Sequence, residues 1–230
     1  MTMHILHIGK TGGTAIGWAI EPYRASSAHP VILHPHGVRL VDIPCGESVI
    51  FFLRDPISRF VSGFYSRQRR GQPRYLSPWS LEEEAAFATF STPNQLAMAL
   101  SSPILEERAA AQQAMRHIQH VRSHYWDWFQ DREYFRSRLA DIAFIGFQER
   151  LAADFEVLKR KLGLPDHATL PSDDVQAHRN PTHVDRRLED GAIANLTQWY
   201  RSDFEFVALC QTLLQMHPTL GGRPAELSQA

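Results

Sequence analysis

A lysine, two hydroxyls and two glycines follow the first apolar run of the chain, in the order Lys10-Thr11-Gly12-Gly13-Thr14. The run Met3–Ile8 predicts a short buried strand, and a helical pattern follows the glycines to about Ile20. Glycines let the backbone approach an oxyanion, and the amides of a first helical turn favour its negative charge. Lys10 adds a point charge, and the two threonines add hydroxyl donors. The pattern predicts a phosphate-binding loop, with a plain strand-to-helix turn as the alternative.

A second pair of residues with phosphate chemistry follows the strongest predicted strand, Ser48–Leu53. Arg54 comes directly after it, and Asp55 and Pro56 predict the N-cap and first residue of a helix. Ser62 lies two turns into this helix, on a different face from its apolar residues, so Arg54 and Ser62 can point into one cleft. A guanidinium and a hydroxyl suit a second phosphate. The alternatives are a salt bridge for Arg54 and simple packing for Ser62.

Two histidines, His34 and His36, follow the short predicted strand Val31–Leu33. Ligands bind at the carboxyl ends of strands in open α/β sheets, so both rings are candidates for a site. The alternative is that both are histidines of a surface loop.

Three more histidines, His117, His120 and His124, are predicted to share one face of a helix that runs from Ile104 to about Ser123. Their spacing could hold a metal. No cysteine or carboxylate pattern accompanies them. We therefore expect them to line a polar cleft or to be exposed, and we expect no metal site.

The elements that must position these residues alternate between strands and helices. A further strand is predicted at Ile142–Phe147, then an amphipathic helix at Gln148–Leu162 and a polar loop over 165–181. Further helical patterns cover residues 81–90, 93–100, 186–200 and 203–216. This alternation predicts one α/β domain over 1–230, with a mostly parallel central sheet, additional helices and a loosely ordered tail from about Pro218.

Composition narrows the class of protein. The chain has 230 residues, enough for an α/β domain with a sizeable core. Its net charge of -1 indicates neither a nucleic-acid nor a membrane surface, so an anion site must come from locally placed cations. Two cysteines, Cys45 and Cys210, exclude a disulfide framework. With no signal peptide and no apolar run of transmembrane length, we expect a cytoplasmic protein.

Two of these motifs together resemble the sulfotransferases. Lys10-Thr11-Gly12-Gly13-Thr14 resembles their 5′-phosphosulfate loop, and the stretch from Arg54 to Tyr65 closely resembles their 3′-phosphate motif. The segments Phe144–Leu151 and Tyr200–Glu205 also fit, so the likeness spans most of the chain. In particular, the chain is similar to the carbohydrate-type group that includes the heparan sulfate 2-O-sulfotransferases. This resemblance implies a P-loop-like, three-layer α/β fold.

The resemblance also implies a reaction and a set of roles. The donor would be 3′-phosphoadenosine-5′-phosphosulfate (PAPS), the product PAP, and no metal would be required. The loop from Lys10 to Thr14 would hold the 5′-phosphosulfate, while Arg54 and Ser62 would hold the 3′-phosphate. His34-Pro35-His36 resembles the His-x-His of the 2-O-sulfotransferase group. His36 would then be the catalytic base and His34 its neighbour in the cleft.

The chemistry of sulfuryl transfer agrees with these roles. Negative charge builds on the bridging oxygen of the leaving nucleotide, where Lys10 and a helix N-terminus can stabilise it. Histidine titrates in the range useful for accepting the hydroxyl proton. Two positions depart from the family: Gly9 replaces a common proline and Ala15 a common serine. We expect the second change to affect donor affinity more than the reaction. Animal members carry a Golgi membrane anchor, so this chain resembles a bacterial, soluble member.

Two other functions remain open at this point. A nucleotide-dependent kinase or NTPase shares the loop, but its full motif has glycine where this chain has His4, and it needs a Mg²⁺ site. Thr11 and Asp55 would have to fill those metal roles. A non-catalytic nucleotide-binding module is the other, and intact Lys10 and His36 count against it.

The acceptor is the least determined part of the function. A hydroxyl on a carbohydrate is expected, although a lipid or a small metabolite is also compatible. Arg67, Arg69 and Arg70 could serve an anionic glycan. The aromatic residues Tyr125, Trp126, Trp128 and Phe129 are more typical of a core than of a sugar platform. The sequence gives no indication of oligomeric state.

Overall fold

The predicted apolar strands form one parallel sheet in the computed structural model, which describes residues 2–25, 29–173 and 184–221. The sheet order is β2-β1-β3-β4, with β1 (Met3–Ile5), β2 (Val31–Leu33), β3 (Ser48–Leu53) and β4 (Ile142–Phe147). The helices in the described ranges are α1 (Gly13–Ile20), α2 (Pro56–Gln68), α3 (Leu81–Thr89), α4 (Pro93–Ala99), α5 (Leu105–His117), α6 (Trp126–Phe129), α7 (Arg132–Ser137), α8 (Leu151–Leu162), α9 (Asp190–Trp199) and α10 (Arg201–Met216).

Strand β1 is shorter than its apolar run predicts. Pairing with β2 and β3 ends at Ile5, and one further ladder bond joins the Leu6 amide to the Ile50 carbonyl. Leu6 and Ile8 stay buried because they pack into the core beside the sheet. Burial therefore explains the length of the run, and the chain is already turning into a loop at residues that are still apolar.

Helices cover both faces of the sheet, as the three-layer prediction requires. Alternate residues of β3 point in opposite directions, as they must in any strand. Ile50 and Phe52 pack in one core with residues of α1 and α8, whereas Phe51 packs in the other with residues of α6, α7 and α10. Every residue of β3 is buried, which explains its unbroken apolar sequence. The α/β fold with a parallel central sheet is confirmed.

The described chain divides into two compact units. Among the described residues, the first contains the whole sheet and comprises 2–25, 29–54, 125–173 and 205–221; the second comprises 55–124 and 184–204. The second unit has a helical core of its own, built from α2, α3, α4, α5 and α9. The sequence did not predict this division. The single domain over residues 1–230 stays a prediction.

Helix α2 begins as its sequence predicts. Asp55 is the N-cap, and its side chain accepts the Ser58 amide at 2.8 Å, with Pro56 as the first helical residue. Its apolar face, including Phe60 and Phe64, packs into the core of the second unit.

Helix α5 ends earlier than predicted. The chain leaves the helix at Ile118, and His120 adopts a left-handed φ of 69°. His117, His120 and His124 therefore do not share one helical face, and that prediction is wrong. Continuous helical spacing in the sequence does not mark the point at which tertiary contacts end a helix.

The predicted polar loop and tail are only partly described. Residues 174–183, which include part of the loop, and 222–230 lie outside the described residues. At the start of the tail, Pro218–Leu220 form a short 3-10 helix. Nowhere in the described ranges is there a helix long and apolar enough to cross a membrane.

Candidate functional site

The glycine-containing loop joins β1 to α1 at the carboxyl end of the sheet. Gly12 is the N-cap of α1 and has φ 95°, in the left-handed region that favours glycine. A Cβ on Gly12 would also lie 3.0 Å from the Leu151 side chain. Lys10 has φ 70°, so the loop turns sharply on either side of Thr11. The first turn of an eight-residue helix thus follows a tight, glycine-lined turn, which is the geometry of an anion site.

The two threonines of the loop differ in their surroundings. Thr11 is 1% exposed, and its hydroxyl donates to the Ile8 carbonyl at 3.0 Å. That hydrogen bond holds the turn together and occupies the hydroxyl proton of Thr11. Thr14 is half-buried in the first turn of α1, and Ala15 beside it is buried. Ala15 therefore contributes a packed methyl group and no hydroxyl.

Arg54 reaches the same loop from the end of β3. Its guanidinium Nη1 donates to the Lys10 carbonyl at 3.3 Å. Its backbone is fixed by Tyr125, whose hydroxyl accepts the Arg54 amide at 2.9 Å and donates to the Arg54 carbonyl at 2.6 Å. The sequence predicts that Arg54 lies at a strand end. The structure shows that its side chain also contacts the loop.

His36 contacts the loop from the end of β2. Its Nδ1 lies 3.0 Å from the His7 carbonyl oxygen, and the two imidazole rings are 3.8 Å apart between centroids. Since a carbonyl can only accept, Nδ1 is the protonated nitrogen and Nε2 carries the lone pair in the neutral ring. Trp128 holds the backbone here, because its Nε1 donates to the His36 carbonyl at 3.1 Å.

The electrostatic surroundings favour the neutral form of His36. Contact with the loop desolvates the ring and lowers its pKa below the usual 6.5, although more than a third of the residue is exposed. The hydrogen bond to His7 raises the pKa, and the charge of Lys10 lowers it. The lowering effects are larger, so His36 is neutral at neutral pH and can accept a proton.

His34 makes a different contact. Its Nε2 lies 2.9 Å from Nδ1 of His4, a residue of β1 that is 7% exposed. Burial lowers the pKa of both rings. The structure thus joins His34 to His4 and His36 to His7, rather than His34 to His36.

Ser62 lies in α2, within the second unit, and is 7% exposed. Its neighbour Arg59 is 2% exposed, donates to the Ser123 carbonyl at 2.9 Å and lies 3.9 Å from the buried Asp203 carboxylate. The polar side of α2 is therefore buried like its apolar side. The pairing of Ser62 with Arg54 stays a prediction.

The basic run after α2 is partly structural. Arg67 is 3% exposed and forms a two-pronged ion pair with Glu83, at 2.7 and 2.6 Å. Arg70 lies over the Trp79 ring at 4.2 Å. A role for Arg67 in glycan binding is therefore disfavoured, because removing its charge would leave Glu83 buried without its partner.

Glu21, His117, His120 and His124 are the reserve candidates for the base. Glu21, His117 and His124 each have a local partner. His124 Nδ1 lies 2.6 Å from the buried Asp203 carboxylate, and His117 Nδ1 lies 2.8 Å from the Gln113 carbonyl. Glu21 is exposed and pairs with Arg24. Among the residues that the structure describes, no group of three or more histidine, cysteine or acidic side chains could hold a metal.

The sequence did not identify three residues that shape the site, namely Tyr125, Trp128 and His7. The aromatic cluster was expected to be core, and Tyr125, Trp128 and Phe129 are indeed buried. Two of them also fix the backbones of Arg54 and His36. His7 lies within the run Met3–Ile8, which the sequence predicts as a strand, and no role was assigned to it. All three act through long-range contacts that no local spacing indicates.

Comparison with known proteins adds a family. A model described as "Sulfotransferase family" matches residues 46–207, about 70% of the chain. The match includes Arg54 and Ser62 but not the loop from Lys10 to Thr14 or the two strand-end histidines. Neither the curated proteins nor the solved structures that were compared give a match.

Proposed function

The chain belongs to the sulfotransferase family, and we propose that it transfers a sulfuryl group from PAPS to a hydroxyl, with a carbohydrate as the acceptor class. The family accounts for sulfuryl transfer to a hydroxyl-bearing acceptor. The identity of the donor, the class of acceptor and the residue roles are the proposal.

One observation supports the proposal most strongly: residues that follow β1, β2 and β3 lie around the same loop. Arg54 donates to the Lys10 carbonyl, and His36 lies against His7 within the electrostatic reach of Lys10. Parallel strands place their carboxyl ends along one edge, where ligands of open α/β sheets bind. The edge thus combines an anion-binding turn, two cations and a neutral histidine, the set that a charged donor and a hydroxyl acceptor need.

The loop offers a phosphosulfate group the backbone amides of the first turn of α1, the donors that a helix N-terminus presents to an oxyanion. The glycines meet a packing requirement as well, because a Cβ at Gly12 or Gly13 would meet Leu151 or the His7 ring. PAPS, when bound, supplies an activated sulfuryl group with a nucleotide leaving group. We assign its 5′-phosphosulfate to the loop and its 3′-phosphate to Arg54.

Each residue then has one task. Nε2 of His36 accepts the proton of the acceptor hydroxyl, because Nδ1 is already committed to the His7 carbonyl. Lys10 and the N-terminus of α1 stabilise negative charge on the leaving oxygen, and they do so most strongly in the transition state. Tyr125 keeps Arg54 in place through both of its backbone hydrogen bonds.

The proposal is tested with ³⁵S-labelled PAPS and a panel of acceptors: neutral and anionic oligosaccharides, a long-chain alcohol and small phenols. We expect label in a saccharide, with equal rates in EDTA and in Mg²⁺. The His36→Ala variant is the matched control and should transfer little. Transfer only to the alcohol or phenols would contradict the acceptor class. Hydrolysis of ATP that depends on Mg²⁺, without sulfuryl transfer, would favour the kinase or NTPase alternative.

A further inference from the structure

His7 makes three contacts that connect the anion-binding turn to the candidate base. Its carbonyl accepts Nδ1–H of His36 at 3.0 Å. Its ring lies 3.8 Å from the His36 ring, with the planes inclined by 33°. On the other side of the loop, a Cβ added to Gly13 would lie 2.3 Å from Cδ2 of His7. One residue thus touches both the proton acceptor and the first turn of α1.

Together these contacts restrict His36 in two ways. The carbonyl fixes which nitrogen is protonated, and the ring restricts rotation of the imidazole about its side-chain bonds. The two rings are in contact, 3.8 Å apart between centroids, so turning the His36 ring about its Cβ–Cγ bond would bring its edge towards the His7 ring. Trp128 fixes the backbone of His36, whereas His7 acts on its side chain.

Gly13 has a corresponding role in placing the His7 ring. The His7 ring is planar and stiff, and it approaches the Gly13 Cα too closely for any side chain. An alanine at position 13 would have to displace the ring, and the ring contact with His36 would change with it. The second glycine of the loop then serves the base as well as the anion.

We propose that His7 is a positioning residue for His36: its ring sets the orientation of the imidazole, and Gly13 provides the space that this ring needs. The inference rests on the proposed function, because positioning matters only if His36 accepts a proton. It assigns to His7 no contact with the donor or the acceptor.

The direct test is ¹⁵N NMR of histidine-labelled protein without ligand. In the wild type, His36 should show the Nδ1–H tautomer and a pKa below 6.5. Of the titratable groups near it, His7 contacts its ring and Lys10 lowers its pKa. His7→Ala keeps the backbone carbonyl but removes the ring that holds the imidazole against it, so we expect both tautomers. The pKa should move closer to 6.5, because the His36 ring becomes more hydrated. His7→Phe, which keeps a flat ring, should restore most of the tautomer preference. His4→Ala is the matched control and should alter His34 but not His36.

Kinetics provide the second readout. Misplacement of a catalytic group by about 1 Å can cost on the order of 100-fold in rate, so we expect His7→Ala to lower kcat by about 10- to 100-fold with little change in KM for PAPS. Gly13→Ala should lower kcat too. In the double variant His7→Ala/Gly13→Ala, the second substitution should add little, because the ring it displaces is gone.

The outcomes separate the two proposals. An unchanged His36 tautomer and pKa in both His7 variants would overturn the positioning role, even if PAPS is the donor. Fully additive losses in the double variant would overturn the role assigned to Gly13. A clear NMR effect of His7→Ala in a protein that transfers no sulfuryl group would uphold the contact and reject the proposed function instead. His7→Phe keeps the test valid if His7→Ala does not fold.

Discussion

Two histidine pairs in the sheet-containing unit differ in what holds them. In the His4–His34 pair, a ring nitrogen faces a ring nitrogen at 2.9 Å, and the rings are nearly parallel. In the His7–His36 pair, a ring nitrogen faces a backbone carbonyl at 3.0 Å. A carbonyl never donates, so it fixes the tautomer of His36. Two rings can exchange the roles of donor and acceptor, so neither His4 nor His34 has a fixed tautomer.

This difference separates two histidines that the motif presents alike. His34 and His36 are two residues apart and follow the same strand. His34 turns to β1 and is joined to a buried partner, which suits a structural role. His36 contacts His7, beside the loop from Lys10 to Thr14, and the charge of Lys10 lowers its pKa. The contacts of the two rings support the proposal that His36, rather than His34, is the base.

The largest effect is expected from removing each histidine in turn. His36→Ala should lower kcat by about 10² to 10⁴ while leaving PAP binding nearly unchanged, since a general base is lost and the anion site is not. His34→Ala should cost much less. The measurement is the rate of ³⁵S transfer at saturating PAPS. Full activity in His36→Ala, with activity lost on substitution of His34, Glu21, His117, His120 or His124, would show that the base is misassigned.

The second-largest effect is expected from removing the positive charge of Lys10, which acts on His36. Lys10→Ala should lower kcat by about 10² to 10³, because a preorganised cation near the leaving group is lost, and should weaken PAPS binding less. The pKa of His36 should rise, since Lys10 lowers it. Lys161→Ala, which removes a lysine of α8, is the matched control. Normal turnover of Lys10→Ala at saturating PAPS would make Lys10 a binding residue only.

The third-largest effect is expected at the end of β3, where Arg54 lies. Loss of a charge-assisted hydrogen bond costs about 1.5–3 kcal/mol, so Arg54→Ala should reduce the preference for PAP over ADP by about 10- to 150-fold. Arg24→Ala, which breaks an exposed pair with Glu21, should leave it unchanged. Competition binding with a fluorescent nucleotide gives the ratio. An undiminished preference in Arg54→Ala would remove Arg54 from the 3′-phosphate site.

The smallest effect concerns the contribution of the His4–His34 pair to the free energy of unfolding. The folded-state pKa of His4 and of His34 lies below the usual 6.5, so the unfolded chain binds more protons as the pH falls through that value. The free energy of unfolding should therefore decrease from pH 7.5 to 5.5. His34→Leu should flatten this slope, whereas His217→Leu, at an exposed position, should not. Urea denaturation at the two pH values is the measurement. Equal slopes in all three proteins would contradict the account of this pair.

The sequence was sufficient where a pattern is local. The bounds of β2, β3 and β4 agree with the apolar runs, and the Asp55-Pro56 start of α2 agrees with its capping residues. The sequence was insufficient where burial or tertiary contacts determine where a strand or helix ends. Leu6 and Ile8 are apolar because they are buried, although they lie beyond β1. Helix α5 ends at His117 with no proline or glycine to mark its end.

The same distinction holds for the site. Residue type and strand-end position predicted Lys10, Arg54 and His36, and the structure places all three around one loop. Tyr125 and Trp128 are distant in sequence from the residues they hold, and an aromatic run is typical of any core. The partner of His34 could not be predicted either, because the register of β1 against β2 decides which ring it meets.

Calorimetry of PAP and ADP with the wild-type protein tests the donor, the central claim, most directly. The two nucleotides differ in whether a 3′-phosphate is present and in whether the 5′ end carries one phosphate or two. We predict that PAP binds at least about 10-fold more tightly, which corresponds to one charge-assisted hydrogen bond. The ratio should be the same in EDTA and in Mg²⁺. Equal affinities, or an ADP affinity that exceeds that of PAP only when Mg²⁺ is present, would contradict a PAPS-dependent sulfotransferase.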